Sequence, residues 1–179
     1  MRRIRLILSS LSMRLWPMLA ACLRFVAVLF LVGCCFLSFS TPSWAEVDVY
    51  VRKFLDVKEP VSLIMDAQGQ TRLFSASDLS AGKRFFEDNC KNCHVGGSTL
   101  PDPTVPLSLE ALQRATPPRD TVLSLVAFLR QPMTYDGTEE TYSCRQVPAS
   151  WLSQEEAENV SAFILRSAQK APGWGNTTF

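Results

Sequence analysis

The sequence predicts a mostly α-helical domain that opens with a β-hairpin, and three observations carry that expectation. Apolar residues recur at helical spacing in Leu79, Gly82, Phe85 and Phe86, again in Val122, Leu125, Val126 and Leu129, and again in Ala157, Val160, Ile164, Leu165 and Ala168. Ser75 with Asp78, and Ser153 with Glu156, form capping boxes ahead of two of these runs. Ahead of all of them, Val61–Met65 and Thr71–Phe74 flank Asp66-Ala67-Gln68-Gly69-Gln70, two short apolar runs around a turn containing glycine.

The first 45 residues read as an export signal. Arg2, Arg3, Arg5 and Arg14 make a basic start, and an apolar stretch runs from Leu15 to about Phe39, broken by Arg24. Thr41-Pro42-Ser43-Trp44-Ala45 then offers small residues at Ser43 and Ala45, the pattern of a signal peptide cleaved after Ala45. The apolar run approaches spanning length, so a retained anchor is the rival reading. Arg24 and the cleavage-like end weigh against it. Leu31-Val32-Gly33-Cys34 resembles a lipidation site, but the chain stays apolar after Cys34 instead of turning polar. Residues 46–179 remain as a single domain of ordinary size.

Along that domain, Val47–Val57 alternates weakly and reads as an extended arm, followed by the hairpin. A helix is expected from about Ala76 to Cys90. Gly82 inside it costs helix stability, which points to close approach of another helix, and Phe85 and Phe86 read as core. Val95-Gly96-Gly97-Ser98 is a loop, and Pro101, Pro103 and Pro106 keep the next stretch extended. Ser108 caps a short helix, Leu109–Arg114. Thr116-Pro117-Pro118-Arg119-Asp120 reads as a helix restart with proline in the first turn, ending before Pro132. Met133–Gly137 is a turn, residues 138–151 a polar loop, and the last helix ends at Ala171-Pro172-Gly173-Trp174-Gly175.

Composition narrows the function. The leader takes five of the eighteen basic residues and none of the seventeen acidic ones, so the mature domain carries a net charge of about −4. An acidic surface argues against nucleic acid and anionic lipid headgroups and suits a basic protein face. Cys22, Cys34 and Cys35 belong to the leader, which leaves Cys90, Cys93 and Cys144.

Two of those three sit in Cys90-Lys91-Asn92-Cys93-His94, the C-x-x-C-H spacing of haem c attachment. The two thiols add across the two vinyl groups of one haem, and the next residue is carried under the iron as its proximal ligand. A zinc site needs a second ligand pair, and His94 is the chain's only histidine. A thioredoxin-like motif needs a strand before it and a helix after it, whereas here a helical pattern precedes and a Gly-rich stretch follows. Cys90 and Cys93 are thus the covalent haem positions, and His94 the first axial ligand.

Several stretches in order carry a closer resemblance. Gly82-Lys83-Arg84 with Phe86, Cys93-His94-Val95-Gly96-Gly97, Ala115-Thr116-Pro117-Pro118-Arg119-Asp120, Thr134-Tyr135-Asp136-Gly137 and Trp174-Gly175 resemble the cytochrome c-550 family, the extrinsic cytochromes of photosystem II in cyanobacteria and some algae. The resemblance covers nearly all of the mature chain and implies a class I cytochrome c fold with one covalent haem. The family places a second axial histidine shortly after the T-Y-D-G glycine. This chain has Tyr142-Ser143-Cys144-Arg145 there, and is therefore most similar to a divergent cytochrome c-550-like paralogue.

Three readings of the sixth iron position follow. Cys144 as thiolate lies beside the family's ligand position and would account for an unpaired thiol in an oxidising compartment. Met133 offers the thioether usual in class I cytochromes, and an open or water-bound site is the third. A thiolate stabilises ferric iron, so Cys144 implies a low potential. The resemblance implies a low-potential electron-transfer or accessory cytochrome in the thylakoid lumen, peripheral on the lumenal side of the membrane through protein contacts. It implies docking on photosystem II or a soluble redox partner, taking part of the role of cytochrome c-550. A structural subunit whose haem does not turn over, and a sensor of small diatomic ligands, are the alternatives. With no triad and no second histidine, no enzymatic activity is expected.

Overall fold

The computed structural model describes residues 23–30, 47–101 and 104–176. The chain divides into two units, Met1–Trp44 and Ala45–Phe179. In the first, residues 23–30 are helical and exposed. The basic start, Cys34 and the Ala45 cleavage position lie outside the described residues. Among the described residues no helix is long and apolar enough to cross a membrane.

The second unit contains α1 (Val49–Lys53), β1 (Val61–Ile64), β2 (Thr71–Phe74), α2 (Ala76–Asn89), a 3-10 turn at Val95–Gly97, α3 (Leu109–Arg114), α4 (Val122–Arg130) and α5 (Gln154–Lys170). The expected extended arm is a correction: residues 49–53 are helical. Asp48 caps them, its carboxylate accepting from the Tyr50 amide at 2.7 Å. Val51 and Leu55, four apart, are then both fully buried, while Val49 is 74% exposed. The weak alternation of Val47–Val57 suggested an extended arm, but the Asp48 cap closes a short helix that buries Val51.

The hairpin forms as expected. β1 and β2 pair antiparallel with Val61 opposite Phe74 and Ile64 opposite Thr71. The Asp66 carboxylate accepts from the amides of Gln68 and Gln70, both at 3.0 Å, which shapes the turn. Leu63 and Phe74 point into the core. The Leu123 amide donates to the Met65 carbonyl at 2.9 Å, fastening the hairpin to the start of α4.

Helices α2 and α5 cross at Gly82. A Cβ there would lie 2.1 Å from the Asn159 carbonyl oxygen, so only glycine admits this approach. Both helices start at the capping boxes read from the sequence. Their facing sides, with Leu125, Val126 and Leu129 of α4, build the core. Phe86 is part of it, its ring 5.5 Å from Phe163 and 5.4 Å from Trp174. Phe85 is only half-buried and packs on Trp151 at 5.7 Å.

A second correction concerns T-P-P-R-D. The helix does not restart at its prolines. It starts at Val122, where Thr121 and Ser124 form a capping box that includes the Thr121 hydroxyl and the Ser124 amide. Residues 116–120 stay non-helical because their polar groups are committed elsewhere: the Thr116 amide donates to the Tyr135 carbonyl and the Arg119 amide to the Leu112 carbonyl.

Candidate haem site

The C-x-x-C-H segment forms a tight turn on the end of α2. The Cys90 amide donates to the Phe86 carbonyl at 2.8 Å, and the His94 amide to the Cys90 carbonyl at 2.9 Å. The Val95–Gly97 turn then reverses the chain. Gly97 has φ +81°, and a Cβ on it would lie 2.6 Å from the Trp174 ring. The Gly175 amide donates to the Gly96 carbonyl and the Trp174 indole to the Leu107 carbonyl, at 2.8 and 2.9 Å. The C-terminal Trp174-Gly175 thus clamps the loop that carries the imidazole.

The T-P-P-R-D and T-Y-D-G stretches pack on one another. The Arg119 guanidinium donates to the carbonyls of Met133 and Thr134, at 3.1 and 2.6 Å, and lies over the Phe128 ring at 4.2 Å. The Tyr135 hydroxyl donates to the Ala111 carbonyl at 2.8 Å. Cys144 sits on a short segment held at both ends. Before it, the Thr141 amide donates to the Pro132 carbonyl, and Met133 bridges to Glu140. After it, the Arg130 guanidinium donates to the carbonyls of Val147, Leu152 and Ser153.

These pieces border one mainly apolar cleft, open at its mouth. Cys93, His94, Met133 and Cys144 all line it, with Leu107, Leu112, Leu125 and Phe128 among its apolar walls. Cys90, half-buried, stands one turn before His94. No disulfide ties up Cys90, Cys93 or Cys144. The structure therefore brings the four sequence-chosen sulfur and nitrogen ligand candidates of the cleft together, on segments some 40 to 50 residues apart.

The chemistry of the donor set fits a haem. Burial holds the His94 imidazole below its ordinary range, opposed by the Ser98 backbone, so the ring is neutral with a lone pair to give. Burial, then the neighbouring Cys144 and Cys93, pushes the Cys90 thiol up to about 12; a thioether there has no charge to desolvate. Burial also pushes the Cys144 thiol up, with Arg119 pulling the other way. Sequence reasoning missed three contributors. Arg119 and Arg130 act through distant carbonyls, and Thr99 lies 3.1 Å from His94 Nδ1. Only Arg119 stood in a motif that could have drawn attention to it.

Comparison with known proteins places this architecture. The family model described as the cytochrome c-550 domain matches residues 53–179. A cytochrome c-550-like protein of Thermosynechococcus vestitus is 58% identical over 135 residues, covering 75% of this chain and 77% of that one. Photosystem II extrinsic protein V of Gloeobacter violaceus is 50% identical over 147 residues, covering 82% and 79%. Among solved structures, the PsbV2 cytochrome of Thermosynechococcus elongatus superposes with a TM-score of 0.71 at 60% identity, over 72% of this chain and 98% of that one. Cytochrome c549 superposes at 0.55 with 32% identity, over 60% and 90%. A mostly helical cytochrome c fold, a C-x-x-C-H turn on an apolar cleft and these relatives agree: the chain belongs to the cytochrome c-550 family and carries a covalently bound c-type haem.

Proposed function

We propose that the chain is a low-potential monohaem cytochrome that carries electrons or serves as an accessory subunit on the lumenal side of photosystem II, and not an enzyme. The observation that supports this most is the shared cleft: Cys93, His94 and Cys144 line it together. In this reading Cys90 and Cys93 hold the haem covalently, His94 is the proximal ligand and Cys144 the sixth. The haem supplies a one-electron couple, and the protein supplies the ligands, the dry walls and the charge balance that set its potential. Met133 also lines the cleft. Cys144 is preferred because ferric iron neutralises a buried thiolate and the Arg119 cation favours the same charge. A thiolate donates electron density to iron and lowers the potential, whereas methionine raises it.

The placement at photosystem II rests on the relatives named photosystem II extrinsic protein V. Residues 1–45 are proposed to be a signal peptide that delivers residues 46–179 to the thylakoid lumen. The test is electron paramagnetic resonance of the ferric protein. Low-spin thiolate signatures are expected, replaced in Cys144→Ser by a high-spin or water-ligated spectrum with the haem still covalently attached. An unchanged low-spin spectrum in Cys144→Ser, altered instead by Met133→Leu, would give the sixth position to methionine.

A further inference from the structure

Helix α4 ends ahead of Pro132, and the loop that carries Cys144 satisfies its end. The last four carbonyls of a helix have no partner within it. At the end of α4 the Gln131 amide donates to the Ala127 carbonyl at 2.9 Å and the Val147 amide to the Leu129 carbonyl at 2.8 Å. The Gln146 side-chain amide donates to the Arg130 carbonyl at 2.8 Å. Arg130 returns the bond: its guanidinium donates to the carbonyls of Val147, Leu152 and Ser153, at 2.8, 2.8 and 3.2 Å. On the other side of Cys144, the Thr141 amide donates to the Pro132 carbonyl at 3.0 Å. Cys144 therefore sits midway on a short bridge, three residues from Thr141 and three from Val147, and both fastenings lie at the end of α4. Tyr142, Ser143, Arg145 and Gln146 are exposed, whereas Cys144 is half-buried and lines the cleft. We propose that Arg130 is the positioning residue of the sixth-ligand segment: its bonds to the carbonyls of Val147, Leu152 and Ser153 lock that stretch to α4 and so keep the Cys144 thiolate in the cleft when the iron is reduced.

The proposal rests on Cys144 being the sixth ligand and concerns what keeps it there. Ferric iron balances the thiolate charge and ferrous iron balances it less, so reduction weakens the bond. Whether sulfur then stays near the iron depends on how firmly its segment is held. A ligand held in its bound conformation loses less freedom on binding and keeps a high effective concentration at the iron. Arginine suits the task because its planar fork carries several donors in a fixed geometry, whereas a lysine ammonium is a point donor on a flexible stem. Among the described residues Arg130 pairs with no carboxylate, and it is not one of the residues lining the cleft. Its work is therefore done on the backbone of the loop. Arg145 adds a side-chain contact to the same loop, its guanidinium 5.6 Å from the Trp151 ring centre.

The experiment is stopped-flow binding of carbon monoxide to the ferrous holoprotein, which reads how readily the sixth position opens. Arg130→Gln should bind carbon monoxide about tenfold faster than wild type, because the conformer with Cys144 off the iron is that much more populated. Arg130→Lys should behave like Arg130→Gln, since one ammonium cannot span the three carbonyls. Gln146→Ala removes the reciprocal bond at an exposed side chain and should speed binding about threefold, so it decides the matter even where Arg130→Gln fails to fold. Cys144→Ser should bind fast by itself, and adding Arg130→Gln to it should change nothing further. Cys144→Ser binding no faster than wild type would remove Cys144 as ligand, and the clamp with it. Fast binding in Cys144→Ser, with Arg130→Gln and Gln146→Ala both at the wild-type rate, would leave Cys144 as ligand and overturn the role of Arg130. An Arg130→Gln effect of equal size in the Cys144→Ser background would mark a general loosening of the cleft, and a wild-type rate in Arg130→Lys would assign the effect to charge; either result overturns the clamp.

Discussion

At the scale of single residues, the cleft joins one contiguous motif to side chains gathered from afar. Cys93 and His94 were legible as cleft residues because the C-x-x-C-H spacing sets them side by side on one turn of chain. Cys144 was legible as a cleft residue by elimination, as the thiol left over once residues 1–45 and the motif are set aside. Arg119 was not, since its work is done on carbonyls 14 and 15 residues away. It is half-buried over Phe128, and its bonds hold the Met133-Thr134 backbone. Arg119→Met should therefore leave two carbonyls without their charged donor and cost about 2–3 kcal/mol of stability. The urea midpoint of the holoprotein measures this. A loss below about 0.5 kcal/mol would mean that the loop finds other donors.

At the scale of elements, local signals succeeded where the chain closes its own hydrogen bonds and failed where tertiary partners compete. The capping boxes of α2 and α5 are four-residue devices and were read correctly. The start of α4 was misplaced because proline suits a first helical turn, while the Thr121–Ser124 box begins after it. The first helix was misread because five residues are too few to show a period. Gly82 was read correctly for a tertiary reason, and it yields a prediction in which local propensity and packing have opposite signs. In an isolated helix, alanine is better than glycine by about 1 kcal/mol. Here the added carbon meets the α5 backbone at 2.1 Å, and backbone cannot rotate away. Gly82→Ala should thus destabilise the holoprotein by about 2–4 kcal/mol, seen as a lower thermal midpoint. A raised midpoint would show that the two helices can part without cost.

At the scale of the whole second unit, residues 48–57 close the core on itself. Val51, Leu55 and Val57 are fully buried, and the Arg166 guanidinium donates to the Leu55 carbonyl at 2.8 Å. What ties this segment to α2 is a small polar cluster. The Asp48 amide donates to the Ser80 hydroxyl at 2.9 Å, and its carboxylate meets the Lys83 ammonium at 2.8 Å, which also reaches Glu87 at 2.8 Å. Burial opposes the charge on Asp48, but the Lys83 ammonium and the Tyr50 amide outweigh it and hold the carboxyl below its ordinary 3.8. Burial likewise opposes the charge on Lys83, but Asp48 and Glu87 outweigh it and hold the ammonium above its ordinary 10.5. The signs set a window. A depressed carboxyl contributes stability above its unfolded value and loses it as pH falls through the lower folded value; a raised ammonium contributes below its unfolded value and loses it as pH rises through the higher folded one. Asp48→Asn should therefore lower stability by about 1–2 kcal/mol at neutral pH. That deficit should stay nearly constant between the two ordinary values and shrink at either end. Burial also pushes the Tyr50 phenol up and the Asp48 charge adds to that shift, so alkaline pH weakens both proteins unequally and the acid side carries the comparison. Thermal midpoints of the two holoproteins across the pH range measure the deficit, and one that persisted undiminished in strong acid would show that Asp48 acts through its cap geometry and not through its charge.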